Sequence, residues 1–154
     1  MPTASEIIIS DTSCLIILGK IGEIDILKYI GSHIYVTPII KKEFGKELPE
    51  WILIKSPSDK HYQEILEMDI DSGEASAIAL SLELENTVLI IDDLKGRRIA
   101  GRLKLRYSGT FGLLLKAKQL GIVTAVKPIL NKIRNTDFRF SESIFDTIFE
   151  QAGE

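Results

Sequence analysis

Apolar positions fall in short blocks along the chain, and the spacing within the blocks switches between strand and helix periods. EIIIS (6–10) is a compact, β-branched run of strand type. DTSCLIILGKIG then changes character: Asp11 to Ser13 supply N-cap chemistry, and Gly19 and Gly22 punctuate the apolar stretch after them. IDILKYIG (24–31) reads as a helix closed by Gly31, and HIYVTP (33–38) as a second strand ended by Pro38. IIKKEFGKEL starts another helix there. WILIKS (51–56) reads as a short strand or extended segment, and SDKHYQEILEM (58–68) has a helical period. DSGEASAIALSLELEN (71–86) predicts an amphipathic helix, TVLIID (87–92) a third core strand, and DLKGRRIAGRLKL (93–105) a basic helix strained by Gly96 and Gly101. RYSG predicts a short strand. TFGLLLKAKQLG (110–121), AVKPILNKIRN (125–135) and SESIFDTIFEQAG (141–153) complete a helical second half. Strands separated by helices imply βα units, a parallel sheet and right-handed crossovers. No repeat, linker or low-complexity tract interrupts the pattern, so one domain over 1–154 is expected.

Composition narrows the class. The chain has 154 residues, of which 45% are apolar and 27% charged, which is the profile of a globular domain rather than a disordered one. Its longest apolar runs, Ile7 to Ile9 and Cys14 to Leu18, are too short to span a bilayer, and MPTASEIIIS has no basic leader of signal-peptide type. The lone cysteine, Cys14, lies in SCLIIL, where a buried small hydrophobe is expected rather than a catalytic thiol; a reducing cytoplasm fits. The net charge of −3 argues against a generic polyanion binder. Its distribution leaves room for a local anionic partner. Lys95, Arg97, Arg98, Arg102, Lys104 and Arg106 form a basic run without an acid, whereas the tail from Ser141 carries Glu142, Asp146, Glu150 and Glu154 without a base.

Five acids stand where chemistry is expected. Ligands of parallel α/β sheets sit outside the carboxyl ends of the strands. Asp11 follows the first strand, and Asp92 and Asp93 follow the third. Glu43 lies about one turn into the helix after the second strand, and Glu74 is in the first turn of the helix leading into the third. Each has a plainer explanation. Asp11 and Asp93 suit helix N-caps, and Asp93 also stands four residues before Arg97; Glu43 sits among lysines on a helix face; Asp71-Ser72-Gly73-Glu74 suits a capping box. These do not explain the group. Carboxylates gathered at one edge repel and raise one another's pKa unless a cation neutralises them. Oxygen ligands without a histidine or cysteine cluster suit Mg²⁺ or Mn²⁺ rather than zinc, and such an ion can polarise a phosphodiester and activate water. His33 and His61, the only histidines, offer no histidine-based nuclease and no Ser-His-Asp triad.

The order SDTSCLI, PIIKKEF, DSGEASAIALS, LIIDDLKGRRIA and SGTFGLLLKAK resembles a PIN domain over about residues 6 to 150. It is most similar to the branch with GEA-x-AI and DD-x-x-x-R signatures, related to the toxin nucleases of toxin–antitoxin pairs. The resemblance implies a three-layer α/β/α fold with a central, mainly parallel sheet, and Mg²⁺- or Mn²⁺-dependent cleavage of single-stranded RNA. By position it implies Asp11, Glu43, Glu74 and Asp93 as catalytic metal-binding acids, with Asp92 adjacent to the metal. Glu74 departs from the aspartate of most relatives. Thr12 and Ser13 fall where relatives place a hydroxyl near the first acid. Arg97 and Arg98 are the first candidates for RNA phosphates; the nearby aromatics, Tyr107 and Phe111, are too few for a base-stacking platform. A homodimer and an antitoxin partner are further implications. Two alternatives stay open: a catalytically weak PIN-like binding module, and a receiver-like phosphoacceptor prompted by Asp92-Asp93 and Lys127-Pro128.

Overall fold

In the computed structural model, which describes residues 6–154, five strands form one all-parallel sheet. They are β1 (Ile7–Ser10), β2 (His33–Val36), β3 (Ile52–Ile54), β4 (Thr87–Ile90) and β5 (Tyr107–Ser108), in the order β3-β2-β1-β4-β5. Between and after them lie, among the described residues, nine helices. These are α1 (Thr12–Lys20), α2 (Ile26–Ile30), α3 (Pro38–Phe44), α4 (Lys60–Leu66), α5 (Ser72–Glu83), α6 (Leu94–Arg102), α7 (Thr110–Gln119), α8 (Lys127–Arg134) and α9 (Glu142–Ala152). The opening MPTAS lies outside the described residues. Among those described, no helix is long and apolar enough to cross a membrane.

The strand order reverses between β1 and β4. Right-handed crossovers place the helices after β1 and β2 on one face and those after β3 and β4 on the other, giving the three layers. The packing agrees: α1 meets α3, while α5 packs against α4, α6, β1 and β4. Covered on both faces, the central strands are continuous apolar runs instead of alternating ones; Ile8, Ile9, Val88, Leu89 and Ile90 are fully buried. Pairing sets Ser10 beside Ile90, so the chain leaves β1 and β4 at the same level of one edge.

The 51–56 segment is a short strand, as its pattern anticipates, at the sheet edge with Leu53 and Ile54 exposed. Other local outcomes differ from the pattern-based expectation. The helix after β2 starts at Pro38 under a Thr37 cap and stops at Phe44, because Gly45 turns left-handed at φ 71°. The expected amphipathic helix, α5, is no such thing: every residue from Ala75 to Ser81 is buried. Its small side chains let it sit close between the sheet and its helical neighbours, so it lacks a polar face over that stretch. Cys14 is fully buried, as expected, and burial followed by the Asp11 charge pushes its thiol pKa up, away from thiolate chemistry. Arg106, last of the basic run, pairs with the buried Glu6 at the start of β1 and so has a structural task.

Gly31, between α2 and β2, is held by close approach. A Cβ there would lie 2.5 Å from the Glu6 carbonyl oxygen and 2.9 Å from Ile8 Cγ1, where backbone cannot swing away. Gly31→Ala is expected to destabilise the protein by about 1–3 kcal/mol in urea unfolding. A loss below about 0.5 kcal/mol, the range of an ordinary surface change, would show that the approach is looser than these distances imply.

Candidate metal centre

Asp11 is the first residue after β1, and its two oxygens hold two separate elements. Oδ1 accepts the Cys14 N–H at 2.9 Å as the cap of α1, and Oδ2 accepts the Asp92 N–H at 2.9 Å beyond β4. Both the cap and the sheet-edge position anticipated for it are therefore real. Asp92 in turn accepts from Thr110 twice, from the backbone N–H at 2.7 Å and the hydroxyl at 2.6 Å, which ties β4 to the start of α7. Asp93 caps α6 through Oδ2 alone, accepting from the Lys95 and Gly96 amides.

Glu43 reaches the same edge from the end of α3. Its Oε1 accepts the Thr12 hydroxyl at 2.6 Å, and its carboxyl lies directly on Gly73, where a Cβ would stand 2.1 Å from that oxygen. Gly73 is thus a cradle that any other residue would fill. Glu74 sits in the first turn of α5 beneath the Asp71 cap, which accepts the Glu74 N–H at 2.9 Å. Its Oε2 is shielded from solvent, has no hydrogen-bond partner, and lies against Gly96, where a Cβ would come within 2.8 Å. A second glycine, read from sequence as helix strain, therefore makes room for Ile91, whose Cδ1 would lie 2.5 Å from that Cβ, and for a second acid.

Asp11, Thr12, Ser13, Glu43 and Glu74 line one cleft of about 330 Å³, together with Ile16 and Asp71. Asp92, Asp93, Arg97 and Arg98 are not in its lining. Arg97 turns the other way, its guanidinium 5.8 Å over the Tyr107 ring, so the anticipated pair with Asp93 gives way to stacking; Arg98 is exposed. Two contributors escape the sequence. Asp71 reads there only as a cap, although its place three residues before Glu74 puts it at the same helix end. Thr110 lies in the SGTFG segment, but only the fold reveals its bond to Asp92.

Electrostatics set the character of the cleft. Burial pushes the Asp11 pKa up to about 7, the Asp92 and Asp71 charges add, and the Cys14 and Asp92 amides oppose. Burial also pushes Glu74 up to about 8, followed by the close approach of the Asp71 carboxyl and by the charges of Asp71, Asp93 and Asp11. Among the described residues no three of the acids form a ready ligand group, and Asp11, Asp92 and Asp93 accept from backbone amides. The donor set nonetheless fits a hard divalent cation: all donors are oxygens, one buried oxygen has no partner, and the repulsion calls for positive charge.

These shifts set a sign for stability. Above about pH 5 the unfolded chain has both carboxylates ionised, while the metal-free native protein keeps a proton on Asp11 up to about pH 7 and on Glu74 up to about pH 8. The native state then binds more protons, so unfolding free energy falls as pH rises through that window. Thermal unfolding in a metal chelator is expected at lower temperature at pH 8 than at pH 5.5, with a shallower dependence in Glu74→Gln. An identical slope in wild type and Glu74→Gln would contradict the shielded carboxyl.

Comparison with curated proteins finds no match to this chain. A family model described as a PIN domain matches residues 7–154, nearly the whole sequence. PIN domains are in general divalent-metal-dependent nucleases, and an acid-lined cleft at the carboxyl edge of a parallel sheet is consistent with that chemistry. On its sheet, its acids and this match, the chain belongs to the PIN-domain family.

Proposed function

We propose that this protein is an endoribonuclease that hydrolyses single-stranded RNA with Mg²⁺ or Mn²⁺, and that it acts as the toxin of a toxin–antitoxin pair. The observation that carries the nuclease proposal is the partnerless, shielded Oε2 of Glu74 in a cleft otherwise walled by Asp11, Glu43 and Asp71. Asp11, Glu43, Glu74 and Asp93 would hold the ion, with Asp92 behind them. When bound, the ion supplies a polarised phosphoryl oxygen and a water acidic enough to attack at neutral pH.

The chain's own groups prepare that site. Thr12 orients Glu43 by donating to it, and Gly73 leaves space for the carboxyl. Asp93 uses one oxygen as a cap, leaving Oδ1 for other partners. Arg97 and Arg98 on α6 are the candidates for neighbouring phosphates, beside Thr12 and Ser13 at the cleft itself. The toxin role rests on the similarity of DSGEASAIALS and LIIDDLKGRRIA to that branch, and an antitoxin, a homodimer and a cytoplasmic location accompany it as parts of the same proposal.

One observation favours a second reading, a binding module with little catalysis. Asp11, Asp92 and Asp93 already bond backbone amides, and such acids can serve the fold alone. A nuclease assay separates the two. Wild type is expected to cut single-stranded RNA in preference to DNA, and only with Mn²⁺ or Mg²⁺. Asp11→Asn and Asp93→Asn, checked as folded by thermal unfolding, are expected to lose about 10–100-fold or more. Metal-independent cleavage at equal rates in all three proteins would sink the nuclease proposal. No cleavage, no Mn²⁺ binding and a stable protein complex would favour the binding module.

A further inference from the structure

Beside Asp92, whose N–H is held by Asp11 of the acid cleft, lies a larger hollow of about 490 Å³ between α6, α7 and α9. Its walls are apolar, with Leu94, Phe111, Phe140, Ile144 and Ile148 among them, and Arg97 stands in the lining with Asp92. Phe111 and Phe140 meet edge to face with ring centres 4.8 Å apart. The sequence offers only Tyr107 and Phe111 near the basic helix; the fold brings Phe140 to Phe111 from a distant segment.

Arg97 is the unusual member. Its Nε is buried and has no hydrogen-bond partner, and among the described residues no ion pair joins it to an acid. Asp92, the nearest candidate, is instead bonded twice by Thr110. A Cβ on Gly109 would lie 3.1 Å from Arg97 Nη2 and 3.0 Å from Asp92 Oδ1, so the glycine keeps a side chain out from between these groups. The Nε is shielded from solvent, but the Nη2 end lies by Gly109 in the lining, and an anion entering the hollow would meet a guanidinium charge that no acid among the described residues pairs.

A charged fork at one end of an apolar, partly aromatic slot has the chemistry of a nucleotide receptor: phosphate for the fork, a flat base for the walls. Given the ribonuclease proposal, on which this inference rests, we infer that the hollow between α6, α7 and α9 holds one unpaired nucleotide of the RNA strand, beside the nucleotide at the acids. Its base lies against the Phe111–Phe140 wall, and its phosphate meets Arg97. The place in the fold favours a nucleotide over an acidic peptide. Asp92 lines this hollow, and its N–H is bonded to Asp11, so a strand lying on the acids passes its mouth.

The test is equilibrium binding in a metal chelator, where nothing is cut. Fluorescence anisotropy compares a short labelled single-stranded RNA with an abasic strand of the same length. The proteins are wild type, Ile144→Asp, Leu94→Asp and Arg97→Gln. Ile144 and Leu94 are 40% and 65% exposed, so both aspartate variants are expected to fold, which thermal unfolding verifies. Wild type is expected to prefer the base-bearing strand, and the preference narrows about tenfold in Ile144→Asp and Leu94→Asp. Arg97→Gln weakens both strands alike and reduces the slope of log affinity against log salt by about 1. A preference unchanged in both aspartate variants overturns the slot while leaving the nuclease proposal intact. Failure of both strands to bind, with an acidic peptide bound through Arg97, overturns the slot and the RNA substrate together.

Discussion

The carboxylate of Asp11 is the joint on which the candidate site depends. It is 4% exposed, and its two oxygens bond the Cys14 amide at the start of α1 and the Asp92 amide at the end of β4. β1 and β4 are the neighbours at which the strand order reverses, so this one side chain fastens the crevice formed where the crossovers diverge. The consequences spread in both directions. On one side α1 presents Thr12, which holds Glu43. On the other, Asp92 passes the connection to Thr110 and α7. A series of hydrogen bonds, accepted by Asp11 and Asp92, thus runs across the carboxyl edge of the sheet from the Cys14 amide to Thr110. The same burial that makes Asp11 a firm joint makes its charge expensive, pushing its pKa up to about 7. Structure and chemistry are coupled in one group.

Glycines do as much as acids to shape the surroundings. Gly73 leaves space for the Glu43 carboxyl, Gly96 for Glu74 Oε2, and Gly109 keeps the space between Asp92 and Arg97 clear. At none of the three does a positive φ explain the residue. At each a Cβ would lie within 3.1 Å of a charged group's atom, so a side chain there would displace that group. The result is a cleft in which Glu43 and Glu74 approach helix ends closely, with Asp11 and the Glu74 Oε2 shielded from solvent. Burial, with the neighbouring charges adding to it, accounts for the fit to a cation: a carboxyl raised to about 8 with a partnerless buried oxygen is most readily stabilised by bound positive charge.

Much of this is legible in the sequence, for identifiable reasons. Strands buried on both faces are continuous apolar runs, so β1 and β4 announce themselves, and an aspartate directly after such a run must lie at the sheet's carboxyl edge. The positions of Asp11, Glu43 and Glu74 result from that geometry. Other features depend on long-range packing, which local periodicity does not encode. The burial of α5 arises from its neighbours on several sides, and Ala and Ser read as equally suited to a polar face. Arg97 could pair with Asp93 or stack on Tyr107, and only the placement of β5 decides for the ring. Gly73 and Gly96 carry signals of turns or weakened helices until the acids opposite them are located. Phe140 joins Phe111 across nearly thirty residues of chain, a contact without a sequence signature.

The central claim is that the acids at this edge form a divalent cation site, and its most direct test is Mn²⁺ titration at pH 8 followed by electron paramagnetic resonance of the free ion. The account predicts saturable binding by wild type, weakened about tenfold or more in both Glu74→Gln and Gly73→Ala, the second by displacing Glu43. Equal Mn²⁺ affinity in all three proteins, or no saturable binding by wild type, would contradict it.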